Sequence, residues 1–164
     1  MVRAIHDASE QVPVPSAGTY NTVLPAPSPD LICHNDLAPW NLVMGDRWVF
    51  IDWDGAGPST RVWDLAYSAQ SFSSLVDGEP VTEAAARLRD LVDGYGAGPT
   101  LRAQLPRAMA QRTAAMHELL RSSADTGREP WATMFAEGHG AFWRDTAAYV
   151  ARHHDAWADA LAQQ

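Results

Sequence analysis

A group of polar side chains placed between short apolar segments constrains the fold of this chain more than any other feature. His34, Asp36 and Asn41 follow one apolar segment, and Asp52 follows another, eleven positions after Asn41. Short apolar segments bounded by Gly, Pro and Asp residues are typical of strands. We therefore expect one small sheet that carries these polar groups at one edge, with strands at residues 31–33, 42–44 and 48–51.

The side chains expected at this edge have the chemistry of a metal site beside a base. Pro39 cannot donate to a strand ladder, so the segment between Asp36 and Asn41 is predicted to be a loop. Asn41 and Asp52 offer oxygen ligands of the kind that Mg²⁺ prefers. Asp36 would then lie beside the metal and be free to accept a proton.

The order of these residues resembles a known catalytic loop. Residues 34–41 have the sequence H-N-D-L-A-P-W-N, which matches the H-x-D-L-x-x-x-N pattern of kinase catalytic loops. Residues 31–68 are similar to the aminoglycoside phosphotransferase and choline kinase group, a branch of the protein-kinase-like fold. The resemblance implies that Asp36 is the catalytic base and that His34 is the structural histidine that opens the loop.

The same resemblance implies further roles around the loop. Asn41 and Asp52 would bind Mg²⁺, and ATP would be the phosphoryl donor. Asp64 matches the family's acidic residue that starts the next helix and ties it to the catalytic loop. A carboxylate at a helix start satisfies free backbone N–H groups and favours the helix dipole. Asp64 is therefore expected to support the site. Asp54 is expected to be a second supporting residue.

The resemblance also predicts the fold class. We expect an α+β, mostly helical fold, the C-terminal lobe of a protein-kinase-like fold in which a small sheet carries the catalytic loop. Residues 1–30 would form an opening helix, from Met1 to Ser9, and a proline-rich connector, and residues 31–164 would form the catalytic lobe of a single domain. The nucleotide-binding lobe is expected to be absent, because all twelve basic residues are arginines and no glycine-rich hairpin precedes the loop.

The expected function is ATP- and Mg²⁺-dependent phosphoryl transfer to a hydroxyl of a small molecule, an aminoglycoside-like or other amine-bearing acceptor. Because the usual phosphate-holding groups are not in the sequence, three interpretations stay open. The chain is a piece of a longer kinase, or is completed by another chain, or is a non-catalytic ligand-binding or partner protein. A homodimer that covers the exposed face between the lobes is a further expectation.

A second motif indicates a different chemistry and is kept as a minor alternative. Residues 50–55 resemble the aspartyl nucleophile motif of haloacid-dehalogenase-type phosphatases, in which Asp52 would be phosphorylated and Asp54 would act as acid and base. Such enzymes also use a downstream lysine and a later acidic pair for the metal. The sequence has no lysine and no adjacent pair of Asp residues after Asp64.

Charge and composition narrow the expected partners. The formal net charge is -8, with ten acidic and three basic side chains in residues 1–82 against ten and nine in residues 83–164. This acidity disfavours nucleic acid and favours cations or cationic substrates. No apolar run approaches the roughly 20 residues that cross a bilayer, so a cytoplasmic protein without membrane contact is expected. The single cysteine, Cys33, is expected to lie in the core.

The second half of the chain is predicted to be helical. Thr82 would cap a helix that Gly94 and Gly96 end. Pro106 would interrupt the next helix because its ring removes a backbone donor. Residues 125–130 would form a loop.

Beyond that loop, aromatic residues recur near the helical period, with Gly138 and Gly140 as the expected break. Such helices build the acceptor pocket in the family that the chain resembles. Aromatic stripes are more often core than ligand contacts, so we expect Trp131, Trp143 and Trp157 in the core. Three acidic residues of this region are expected to be solvated surface charges and are left outside the site: Glu129, Glu137 and Asp145.

Overall fold

Helices make up most of the protein. The computed structural model describes residues 1–14 and 20–162; of the proline-rich connector, Pro15 lies outside the described residues. The mostly helical, α+β class is confirmed. Within the described residues, the α-helices are α1 (Val2–Ser9), α2 (Arg61–Phe72), α3 (Val81–Tyr95), α4 (Pro99–Thr126), α5 (Trp131–Met134), α6 (Gly140–Arg152) and α7 (His154–Ala162).

The strands form two separate two-stranded antiparallel sheets, so the expectation of one small sheet was wrong. The middle and last expected strands do pair, as β2 (Leu42–Val43) with β3 (Val49–Phe50). The first, β1 (Leu31–Cys33), pairs instead with β4 (Gly57–Ser59). We did not predict β4, because glycine and proline are depleted in strands and Pro58 lacks the N–H that a ladder uses.

Helix α3 differs from the prediction at both ends. Its N-cap is Pro80 and not Thr82, and no side chain caps it. Gly94 lies inside the helix, while Gly96 ends it with φ 73° in the left-handed region. Only glycine adopts that conformation without steric cost, which explains why Gly96, and not Gly94, is the stop signal.

Pro106 does not interrupt α4, which runs for 28 residues through it. A proline inside a helix costs about 3 kcal/mol. Helix α4 packs against α2, α6 and α7, and Pro106 itself is buried in that packing. Tertiary burial therefore outweighs the local penalty. The helix ends at Thr126, with Gly127 as its C-cap, so the loop predicted from residue 125 begins two residues later.

The expected break near Gly138 is confirmed. A π-helical turn, Phe135–His139, joins α5 to α6, and Gly138 within it has φ 106°. A second break, between α6 and α7 at His153, was not expected.

The core lies mainly between α2, α3, α4, α6 and α7. Trp157 is buried there as predicted, and Trp143 is buried in a second cluster that includes Tyr67 and Leu120. Trp131 is only half-buried. Cys33 is fully buried, and burial raises the pKa of its thiol. Within the described ranges, no helix has the length and apolar character needed to span a bilayer.

Candidate active site

The histidine that follows β1 lies in the interior and holds backbone on both sides of the site. His34 is fully buried after β1. Its Nε2 donates to the carbonyl oxygen of Ile51 at 3.0 Å, and its Nδ1 accepts the backbone N–H of Asp36 at 3.3 Å. A single tautomer, protonated on Nε2, makes both bonds. His34 therefore connects the loop that carries Asp36 to the segment that leads into Asp52.

Asn35 is the residue through which the rest of the protein holds this loop. Its φ is 65°, a left-handed conformation that Asn adopts more readily than most residues. Its backbone N–H donates to Asp64 Oδ1 at 2.7 Å, and its side-chain Nδ2 donates to the carbonyl oxygen of Gly55 at 3.1 Å. Arg112 Nη2 donates to the Asn35 carbonyl oxygen at 3.1 Å. The strained residue is thus fixed from three directions.

Asp64 does not act as the helix cap that we expected. Thr60 is the N-cap of α2, and its hydroxyl accepts the N–H of Trp63, so α2 begins before Asp64. The buried Asp64 carboxylate is used across the fold instead. Besides the Asn35 N–H, it contacts His6 of α1, with 2.9 Å between Asp64 Oδ2 and His6 Nε2.

His6 extends this connection to α3. Its Nδ1 lies 2.8 Å from the Tyr95 hydroxyl, and Arg61 Nη1 lies 3.2 Å from the same hydroxyl. If Tyr95 donates to Nδ1 and accepts from Arg61, then His6 Nε2–H donates to Asp64 and every group is satisfied. His6, Cys33 and Asp64 form a group whose possible ligand atoms lie within 4.8 Å of one another, but these hydrogen bonds already occupy His6 and Asp64.

Asp36 and Asn41 are in direct contact at the opening of the loop. Asn41 Nδ2 donates to Asp36 Oδ2 at 2.8 Å and to the Asp36 carbonyl oxygen at 2.9 Å. Burial raises the pKa of the Asp36 carboxyl above its ordinary value, while hydrogen bonds from Tyr67 and Asn41 and the nearby Arg112 oppose the rise. The carboxylate has one orientation because Asn41 fixes it.

The β2–β3 hairpin brings Asn41 and Asp52 to the same end. The Ile51 N–H donates to the Asn41 carbonyl oxygen at 2.9 Å, next to the Leu42–Phe50 pair of the ladder. Asp52 then turns away with φ 61° and an exposed side chain. An amide and a free carboxylate at one hairpin end are a fitting donor set for a hard cation such as Mg²⁺.

A cavity of about 960 Å³ opens beside these residues. Of the predicted site residues, Asp36, Asp52 and Asp54 line it. His34, Asn41 and Asp64 are not among the lining residues. His34 and Asp64 hold the backbone of the loop from behind the wall, whereas Asn41 reaches the lining residue Asp36 directly. The other wall comes from α4, α5, the π-helical turn and α6, and it includes Glu137, which we had assigned to the surface.

Sequence reasoning missed three residues of this site, Asn35, Tyr67 and Arg112. Arg112 of α4 is 6 % exposed, and its guanidinium carbon lies 4.8 Å from the Tyr67 ring centroid. Burial lowers the pKa of its guanidinium, opposed by Tyr67, Asp64 and Asp36. A signal existed: Arg112 lies three positions after Met109 and four before Met116, on the apolar face of α4. For Asn35, the one signal in the sequence was that Asn tolerates a positive φ.

The geometry agrees with a comparison to known proteins. The model of the phosphotransferase enzyme family matches residues 18–101, just over half of the chain. The chain therefore belongs to the phosphotransferase enzyme family, in keeping with the resemblance to aminoglycoside phosphotransferases and choline kinases. A search of curated proteins found no match, and neither did a search of solved structures.

Proposed function

We propose that this chain is the catalytic lobe, residues 31–164, of a kinase-like phosphotransferase that moves the γ-phosphoryl group of ATP to a hydroxyl of a small, amine-bearing acceptor. The observation that carries the proposal is the placement of Asp36. Its carboxylate borders the cavity, is held by Asn41 at 2.8 Å, and faces the same space as Asp52. The family supports phosphoryl transfer in general terms.

In this proposal Asp36 positions the acceptor and removes its proton. The acceptor hydroxyl donates to the Asp36 carboxylate, and its oxygen forms a bond to the γ-phosphorus as the bond from that phosphorus to the bridging oxygen breaks. ADP leaves with the electron pair of the broken bond, and the proton later passes from Asp36 to water. The Asp36 lone pairs that neither Asn41 nor Tyr67 uses are those available to the hydroxyl.

Asn41 and Asp52 are the residues proposed to hold Mg²⁺, and Asp54 is proposed to support them from the same wall. When bound, the cation would supply positive charge opposite the phosphate oxygens. The left-handed conformation of Asp52 directs its carboxylate away from the hairpin ladder. Backbone strain of this kind is often retained where a side chain must be aimed at a ligand.

The β2–β3 hairpin presents an apolar face that we propose is covered by a polypeptide carrying the phosphate-holding groups. The chain has no lysine to pair with the phosphates, so that group must come from elsewhere. Isolated exposed apolar residues are ordinary, but a cluster indicates an interaction surface. The exposed large side chains of residues 40–53 are Trp40, Val43, Met44, Trp48, Val49, Ile51 and Trp53.

This apolar face also favours the competing interpretation, a partner or ligand-binding protein without turnover, and a homodimer is a third way to cover it.

The decisive test is an assay of phosphoryl transfer from ATP to hydroxylated amines, monitored by phosphorus NMR. The assay uses both the chain alone and its complex with any covering partner. We expect Asp36→Asn to lower the rate by at least about a hundredfold. Full activity in Asp36→Asn would overturn the role of Asp36, and absence of transfer by the assembled wild type would favour the non-catalytic interpretation.

A further inference from the structure

The lining of the cavity has two parts of different chemistry. The part from the catalytic-loop region and the segment after β3, here called the metal end, includes Asp36, Trp40, Asp52 and Asp54. The part from α4, α5 and α6, here called the helical end, consists mainly of large apolar side chains. These are Met116, Leu119, Trp131, Met134, Phe142 and Trp143.

The aromatic wall begins beside the proposed base. Tyr67 hydrogen-bonds to Asp36 and is buried, and Trp143 stacks on it with 6.2 Å between the ring centroids and 19° between the planes. Phe142 continues the wall from Trp143 in an edge-to-face contact at 5.5 Å. A molecule with its hydroxyl at Asp36 would therefore lie along aromatic surface, where apolar contact contributes roughly 25 cal/mol for each Å² buried.

The charge at the helical end is sparse. Among the described residues that line it, Glu137 is the one acidic side chain. The three carboxylates of the metal end are already assigned to the base and the cation. Arg112 also borders the cavity, buried and with Nη1 lacking a hydrogen-bond partner among the described residues, so it adds positive charge to the wall. This distribution of charge favours an acceptor with one amine and disfavours an acceptor with several amines.

The π-helical turn places Glu137 where it can meet that amine. Successive residues of a regular helix point about 100° apart, so three consecutive residues do not normally share one wall. Here Glu137, Gly138 and His139 all line the cavity, because Gly138 leaves the helical conformation with φ 106°. Glu137 is exposed, so its carboxylate is open to a ligand.

From these four observations we infer that the acceptor is an amino alcohol with a single cationic centre and an apolar, aromatic-sized body, and not a polyamino sugar. The inference rests on the proposed function for the placement of the hydroxyl at Asp36. The body of the acceptor lies against Trp131, Phe142 and Trp143, and its amine pairs with Glu137. The volume of about 960 Å³ is near the upper limit of ordinary ligand pockets, so such a body fits beside a nucleotide phosphate.

Calorimetric binding of three probes to the whole chain, without nucleotide, tests this inference separately from catalysis. Ethanolamine has the hydroxyl and the amine, phenylalaninol adds an aromatic body, and kanamycin carries several amines on a sugar. We expect phenylalaninol to bind at least about tenfold more tightly than ethanolamine and more tightly than kanamycin. Tighter binding of kanamycin, or no saturable binding of phenylalaninol at millimolar concentration, would overturn the inference.

Two variants locate the binding. Phe142→Ala should reduce the advantage of phenylalaninol over ethanolamine, whereas Tyr20→Ala, at a similarly exposed aromatic that does not line the cavity, should leave it unchanged. Glu137→Gln should weaken phenylalaninol about fivefold and leave 3-phenylpropan-1-ol, which has no amine, unaffected. The matched control is Glu83→Gln, at an exposed acid of α3 that does not line the cavity.

Equal binding by Phe142→Ala and wild type, or equal loss of phenylalaninol binding in both Glu variants, would contradict the assignment. Because these titrations need no ATP, they separate a wrong acceptor class from a wrong reaction.

Discussion

The Asp64 carboxylate accepts the backbone N–H of Asn35 at 2.7 Å, 29 positions away in the sequence. This bond joins the first turn of α2 to the residue that precedes Asp36. On its other oxygen the same carboxylate contacts His6 of α1. The position of the proposed base therefore depends on a buried carboxylate that never reaches the cavity.

Replacing Asp64 should destabilise the protein strongly. In Asp64→Asn an NH₂ group replaces one carboxylate oxygen. The single oxygen that remains cannot accept from both the Asn35 N–H and His6. We expect a loss of about 3 kcal/mol in the free energy of unfolding, measured by urea denaturation. Asp159→Asn, at an exposed position of α7, should change it by less than about 0.5 kcal/mol. A loss below about 1 kcal/mol in Asp64→Asn would contradict the importance of this bond.

The Tyr95 hydroxyl should make stability depend on alkaline pH. Burial raises its pKa above the ordinary 10.0, and Arg61 partly opposes the rise. A raised pKa in the folded state means that the stabilising contribution is complete below the unfolded pKa of about 10 and is lost as the pH rises through the folded value.

We therefore expect Tyr95→Phe to be less stable than wild type at about pH 8, by roughly 1 kcal/mol for the lost contacts with His6 and Arg61. Above about pH 10 the difference should narrow, because only the wild type has this hydroxyl to ionise. Urea denaturation across the alkaline range measures both quantities. A difference that stayed constant with pH would refute the role given to Tyr95.

The caps of α2 and α3 offer a paired comparison. The Thr60 hydroxyl accepts the Trp63 N–H at 3.2 Å, whereas Thr82 lies inside α3 and caps nothing. Thr60→Ala should cost about 1 kcal/mol of unfolding free energy, and Thr82→Ala less than about 0.5 kcal/mol. Equal losses in the two variants would mean that the helix boundaries are wrong.

Two neighbouring glycines of α3 should respond to alanine with opposite signs. Neither position has an atom within 4 Å of an added Cβ, so only the backbone decides. Gly94→Ala should stabilise by about 0.5–1 kcal/mol, because Gly94 is helical and exposed. Gly96→Ala should destabilise by about 1 kcal/mol, because its φ is 73°. Thermal unfolding of both variants gives the signs, and two changes of the same sign would disagree with the structure.

What could be predicted from the sequence was local, and what could not was tertiary. The spacing from His34 to Asn41 lies within one loop, so its pattern alone indicated the loop and the family. The resemblance implied that Asp64 ties α2 to the loop, but the residues alone indicated only a helix cap, and its bonds to the Asn35 N–H and to His6 had no local signal. The prediction that Pro106 interrupts α4 was wrong for a related reason. It considered the local cost of a proline in a helix but not the packing of α4, which outweighs that cost.

The cavity shows the same limit. Glu137 and Trp131 have the sequence context of a surface acid and a core aromatic, and no sequence pattern indicated that both line the cavity. Arg112 was predictable in part, since a charge on the apolar face of a helix needs an explanation. Its contact with the carbonyl oxygen of Asn35, 77 positions away, had no sequence signal.

Calorimetric titration of the purified chain with ATP, with and without Mg²⁺, tests the central claim most directly. The matched variant is Asp52→Asn, because Asn keeps the left-handed conformation at φ 61° while removing the carboxylate, and Asp159→Asn is the control. We predict binding that requires Mg²⁺, is lost in Asp52→Asn and is kept in Asp159→Asn. Equal Mg²⁺-dependent binding by wild type and Asp52→Asn would contradict the assignment of a phosphotransferase metal site.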